Sequence, residues 1–259
     1  MDVDATHSGG TRKGWVRQFE SREREGDSKI NECKPWLKKM WCIGKITAEY
    51  RRRMYDLLEL YARDYCEERP VICVDEKSKQ LLEETREPLR VRAGNCHKED
   101  YEYKRCGTRN IFVAVEPRGK WRHVEMTNRR QKKDFVGFIE SLLLGRYAEC
   151  KEVHWVVDNL NTHFYKTFIE VLGQAKADRL LKRVTFHYTP KHASWLNMAE
   201  IEIGIMDRQC TGRRIGKAAV LQSELKAWKN RRNKEGRGIE WKFTKQDADK
   251  KLSRHYVAE

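Results

Sequence analysis

The chain has 259 residues and a 39% hydrophobic fraction, which suits one large domain with short appendages and excludes any need for disulfide staples. Charged residues make up 36% and the net charge is +15, an excess that works against a compact chain unless a polyanion shares its surface, so nucleic acid is the expected partner. No apolar stretch opens the chain and no run approaches the ~20 apolar residues of a membrane span, so the reading is a cytoplasmic protein with no signal peptide and no membrane partner.

Residues 1–33 are polar, with almost no aliphatic side chains, and are expected to be a flexible N-terminal segment. Lys34 to Ile46 reads KPWLKKMWCIGKI, a basic arm whose Trp36 and Trp41 could anchor it on DNA, on this domain or on a second subunit. The arm leads into a helix over 47–65, where Met54, Leu57, Leu58 and Tyr61 repeat at helical spacing. Val71-Ile72-Cys73-Val74 is a buried strand ending in Asp75-Glu76. Residues 77–108 are charged and broken by Gly94 and Gly107, and read as loop with short elements. Ile111–Val115 and His123–Met126 form a hairpin about Pro117-Arg118-Gly119-Lys120. A helix follows over 131–145, then a second buried strand, Val153–Val157, ending at Asp158. After it come a helix over 162–176, a strand Val184–Tyr188, a helix from about Ser194 to Arg208 and another over 215–232. Strands alternating with helices demand a mostly parallel sheet covered on its faces, and the hairpin makes it a mixed α/β sheet. The expected divisions are 1–33, an arm and helix over 34–66, a core over 67–212 and a basic C-terminal helical region over 213–259.

The charge supports that division. Residues 208–259 hold 15 Lys or Arg against 6 acids, and residues 1–53 hold 13 against 8, so the centre is nearly neutral between basic margins. The eight cysteines, at 33, 42, 66, 73, 96, 106, 150 and 210, show no C-x-x-C spacing, which argues against a zinc ribbon.

Asp75 and Asp158 share one context, because each follows an apolar run and so sits at the carboxyl end of a buried strand. In open α/β sheets ligands bind at that edge. An acid there is costly to bury unless it is paired or holds a metal, although a lone Asp after a strand is more often a turn residue or a helix cap. Glu200, in S-W-L-N-M-A-E, lies in the first turn of a helix, where an acid also complements the dipole. Glu202 points about 200° away round the same helix, and periodicity alone does not choose between the two. Three carboxylates converging on one edge would suit Mg²⁺ or Mn²⁺, and two such ions can drive phosphodiester cleavage or transfer.

At these residues the sequence resembles a family. V-D-E-K-S-K-Q-L-L, V-V-D-N-L-N-T-H and H-Y-T-P-K-H-A-S-W-L-N-M-A-E-I-E are similar to the three signatures of DDE transposases of the mariner superfamily, in its bacterial insertion-sequence branch. The likeness runs from about Lys34 to the C-terminus and includes D-Y-E-Y-K-R-C-G-T and W-R-H-V. It implies an RNase H-like fold and catalytic, metal-binding acids at Asp75, Asp158 and Glu200, the last chosen over Glu202 because it stands three positions after Asn197. It also implies two Mg²⁺ or Mn²⁺ ions, transposon ends and a TA target as DNA partners, a homodimer on that DNA and a place at the cytoplasmic nucleoid. Such proteins carry an N-terminal helix-turn-helix that recognises the element's ends. Too little chain precedes the likeness to hold one, so a truncated or alternatively started copy, without preference for those ends, is expected.

Other residues in these motifs are candidates for phosphate contact: Lys77, Lys79, Asn159, His163, Lys191 and His192. Arg213, Arg214, Arg231 and Arg232 would form a basic C-terminal face, unless that face is merely solvated. Transposase chemistry competes with two other readings, an idle DNA-binding remnant and an RNase H-like nuclease acting on RNA in a hybrid.

Overall fold

The computed structural model describes residues 44–160 and 163–257; the segment 1–33 and the arm tryptophans Trp36 and Trp41 lie outside the described residues. A five-stranded sheet has the order β3-β2-β1-β4-β5. Its strands are β1 (Val71–Glu84), β2 (Tyr103–Glu116), β3 (Trp121–Thr127), β4 (Val153–Val157) and β5 (Val184–Tyr188). β1 runs parallel to β4 and β4 parallel to β5, while β1, β2 and β3 form an antiparallel meander. The expected mixed sheet is therefore present, with Val71–Val74 and Val153–Val157 as adjacent parallel strands.

Side chains along β1 alternate between two covered faces. Ile72 and Val74 join Phe112, Phe135, Phe138, Trp155 and Phe168 in the larger core, under α2 (Lys132–Leu144), α3 (Tyr165–Leu172) and α4 (Gln174–Leu181). Leu81, Ile111 and Val113 face the other way, against α5 (Met198–Met206) and α6 (Ala218–Glu235). On that second face lies α1 (Ala48–Ala62), whose buried Tyr61 donates to the Leu196 carbonyl at 2.7 Å. Each fully buried Leu, Val or Phe of these layers contributes about 1.5–3 kcal/mol. A last helix, α7 (Lys245–Leu252), begins at a Thr244–Asp247 capping box. Among the described residues no helix is long and apolar enough to cross a membrane.

Two expectations are corrected. β1 does not end at Asp75-Glu76 but continues to Glu84, and the supposed loop over 77–108 contains the outer half of a long β1–β2 ribbon. Its strands carry Lys, Ser, Gln, Arg and Thr because backbone pairing across the ribbon holds them, with little apolar burial to mark them in the sequence. The helix over 162–176 is two, divided at Gly173, whose φ of +79° favours a residue without Cβ. α7 falls within residues 213–259, and only its Ala248 and Leu252 are buried.

Candidate active site

Asp75 lies where the neighbours of β1 part company. The parallel pairing with β4 ends at Cys73–Val156, while pairing with β2 continues through Asp75–Val113. A gap between diverging strands opens beside the carboxylate. Asp75 is only 7% exposed. One of its oxygens accepts the Glu76 N–H at 2.8 Å and the other accepts Asn197 Nδ2 at 3.3 Å. Burial, reinforced by the charges of Glu200, Glu76 and Asp158 against the Glu76 N–H bond, pushes its carboxyl up to about 7.

Glu200 stands in the first turn of α5, whose N-cap is Asn197. Burial and then the charge of Asp158 raise its carboxyl above the usual range, opposed by Lys77. Asp158 directly follows β4, and its Oδ1 accepts the Leu160 N–H at 3.1 Å. Asp75 and Glu200 each feel Asp158, and Asp75 feels Glu200, so acids from β1, the end of β4 and the start of α5 share one electrostatic neighbourhood. Glu202 lies elsewhere: it is 0% exposed, with Oε1 3.1 Å from Arg122 Nε and 3.2 Å from Arg232 Nε. That buried triad ties α5 to β3 and α6.

Among the described residues, no three His, Cys, Asp or Glu are gathered closely enough to hold a metal as they stand. The donor set itself suits a hard divalent cation: oxygen donors only, mutually repelling, and Asp75 bonded to amide donors rather than to a cation. Bound positive charge would relieve what burial and repulsion impose. The residues that could supply ligands are Asp75, Asp158 and Glu200.

His163 is not a surface residue. It is 0% exposed, with Nδ1 2.6 Å from Asp158 Oδ1 and Nε2 3.2 Å from Glu76 Oε2, contacts that are ionic rather than in-line hydrogen bonds. Burial alone would lower its pKa, but the two carboxylates outweigh it and hold the imidazole up at about 9. Direct phosphate contact by His163 is therefore corrected. Arg232 is corrected for the same reason, being 5% exposed and engaged with Glu202 and Glu235. Arg214 is half-buried against Glu84 at 2.7 Å and stacks on Tyr103. Asn159 accepts from Arg53 at 2.6 Å and donates to the Thr189 carbonyl. Lys77 pairs with Asp207, and Lys79 donates to the Thr211 and Arg213 carbonyls, so both tie β1 to the π-helical turn Asp207–Thr211. Lys191 and His192 are exposed on the turn after β5, His192 in the left-handed region at φ +60°. Arg213 and Arg231 are exposed, in surface pairs with Glu224 and Glu235. Glu76 was missed in the sequence, and its place directly after Asp75, on the opposite face of the strand, was the available signal.

The mixed sheet, with Asp75 in β1 and Asp158 directly after its parallel neighbour β4, is of the α/β class. The model of the DDE superfamily endonuclease family matches residues 70–222, and the chain belongs to that family. Among solved structures, a pre-cleavage Mos1 transpososome is similar over 100% of this chain and 84% of its own, at 13% identity and a TM-score of 0.50, and shows the RNase H-like fold. The Mos1 mariner paired-end complex with Mn (12% identity, 90% and 78% covered, TM-score 0.47) and the Mos1 strand transfer complex (12%, 100% and 83%, 0.46) are also similar. No characterised protein sequence matches the chain.

Proposed function

We propose that this endonuclease-family chain is the catalytic part of a DNA transposase, cutting DNA at the ends of an inserted element and joining them to a new target. The observation that supports this most is the shared electrostatic neighbourhood of Asp75, Asp158 and Glu200, three acids from three elements. They are the proposed ligands of two Mg²⁺ or Mn²⁺ ions. When bound, such ions activate an attacking oxygen and stabilise a leaving one. The chain's own part is to hold these carboxylates rigidly on strand and helix, with Asn197 orienting Asp75. In the first step the oxygen of water bonds to phosphorus as the P–O3′ bond breaks, leaving a 3′-hydroxyl and a 5′-phosphate. In the second that 3′-hydroxyl attacks a target phosphate in the same way.

The Mos1 structures are named as paired-end, strand-transfer and manganese or magnesium complexes, which supports metal use and DNA ends as partners here. A homodimer on DNA, a TA target and action at the cytoplasmic nucleoid rest on the motif resemblance. The test is nicking of supercoiled DNA with Mg²⁺ or Mn²⁺. Asp75→Asn, Asp158→Asn and Glu200→Gln should each abolish nicking while leaving DNA binding intact. Activity confined to RNA–DNA hybrid would replace this reading with a hybrid nuclease, and metal-independent binding without cleavage would mark an idle remnant.

A further inference from the structure

We infer that Glu76 and His163 are positioning residues for Asp158, a buried side-chain pair set against one oxygen of that acid that leaves the other for the reaction. The inference rests on the reading of Asp158 as a metal-binding acid. Asp158 Oδ1 takes both the Leu160 N–H at 3.1 Å and His163 Nδ1 at 2.6 Å. The far nitrogen of the same ring lies 3.2 Å from Glu76 Oε2. Phe135 closes over the imidazole with ring centroids 4.3 Å apart.

Glu76 is itself held. Its side chain is 2% exposed, and its Oε1 lies 3.1 Å from Arg130. A line of side-chain contacts thus runs from Arg130 at the surface through Glu76 and His163 to Asp158. It approaches on the sheet face opposite to Asp75, because consecutive strand residues point to opposite sides. Asp75 is oriented from the α5 face and Asp158 from the α2–α3 face.

A buried ion pair contributes little net stability, since desolvation offsets its attraction. The consequence of this one therefore falls on the geometry of Asp158. With Oδ1 doubly engaged, Oδ2 is left for an ion, and the carboxylate cannot turn to satisfy itself elsewhere. Partners behind a ligand of this kind typically change metal affinity by about 10–100-fold when removed.

The test is Mn²⁺ binding by the full chain, read from the electron paramagnetic resonance of free Mn²⁺, with thermal melting beside it. Glu76→Gln and His163→Gln keep a polar side chain at each position while breaking the contacts to Asp158. Each should weaken Mn²⁺ binding by about 10–100-fold in a chain that still melts as a folded protein, and the double variant should bind no worse than the weaker-binding single, because the two act as one unit. Folded variants that bind Mn²⁺ like the wild type, while Asp158→Asn binds poorly, would overturn the inference and leave the metal reading intact. Equal binding by Asp158→Asn and wild type would remove the metal reading and the inference with it. Unfolding of both glutamine variants would make the pair structural and also overturn it.

Discussion

Asn197 bonds Asp75 and caps the helix that carries Glu200. Its Nδ2 donates to the Val74 carbonyl at 2.9 Å and to Asp75 Oδ2 at 3.3 Å, and its Oδ1 accepts the Ala199 N–H at 3.1 Å. One fully buried side chain therefore sets the distance between a strand acid and a helix acid. Asn197→Ala should cost about 1–3 kcal/mol, from the lost cap and the orphaned strand carbonyl. It should also slow nicking at least about tenfold, beyond what unfolding accounts for. Asn197→Asp keeps the cap but sets a further carboxylate against Asp75, and should retain more stability than activity. Urea unfolding and nicking rates check both, and a stability loss with unchanged nicking would confine Asn197 to a capping role.

Asp75 should trade stability for activity. Its carboxyl is raised from 3.8 to about 7, so the folded chain holds that proton more tightly than the unfolded chain does. The favourable contribution is full below the unfolded value and is lost as pH climbs through the folded one. Near pH 8 without metal, Asp75→Asn should therefore be more stable than wild type, by on the order of 2–4 kcal/mol, with the difference shrinking toward pH 4. Nicking should be abolished. Urea midpoints across that range decide it, and a constant difference would show that desolvation of the charge is not its source.

The acids were legible because each of Asp75 and Asp158 ends an apolar run, and runs such as Val153–Val157 are the clearest sequence signal of a buried strand. The choice of Glu200 over Glu202 was not legible from periodicity, since both sit early on one helix. It came from the motif, and the structure shows the other acid neutralised by Arg122 and Arg232. Burial of Arg232 and His163 could not be read either. Both are polar residues buried by partners distant in sequence, Glu202 and Glu76, and no local pattern encodes such pairs. The ribbon beyond Glu76 was hidden for a related reason, because its strands are held by backbone pairing while most of their side chains stay polar.

The triad about Glu202 predicts a contrast between neighbouring arginines. Arg122 is 0% exposed and also donates to the carbonyls of Arg232 and Arg237 at 2.8 and 2.6 Å. Glu202→Ala leaves two buried guanidinium groups without their shared carboxylate, and Arg232→Ala strips Glu202 of one of its two cations and empties a buried site, so each should destabilise by about 3–5 kcal/mol. Arg231→Ala, next in sequence but exposed, should stay within about 0.5 kcal/mol. Chemical denaturation of the three variants checks this, and a mild Arg232→Ala would show that the triad relaxes.

Phosphate contact should then fall to fewer cations than the basic composition suggests. Of the four candidate arginines, Arg232 is buried and Arg214 is held by Glu84 and by the carbonyls of Asp100 and Glu102. Arg213 and Arg231 remain, their side chains 57% and 56% exposed, in pairs with Glu224 and Glu235 that are worth little and cheap to break. Lys191 is exposed close to the acids in the chain, on the turn between β5 and α5. Each phosphate neutralised on duplex DNA adds about 0.9 to the salt slope of binding. Arg213→Ala with Arg231→Ala should thus flatten the slope by up to about 1.8, and Lys191→Ala by up to about 0.9, without unfolding the chain. Glu224→Gln should leave the slope unchanged, since it removes only a surface partner. Fluorescence anisotropy on a random duplex between about 50 and 200 mM salt makes the measurement. A slope untouched by the double arginine variant would show that Arg213 and Arg231 stay solvated in the complex and that the grip lies elsewhere on the chain.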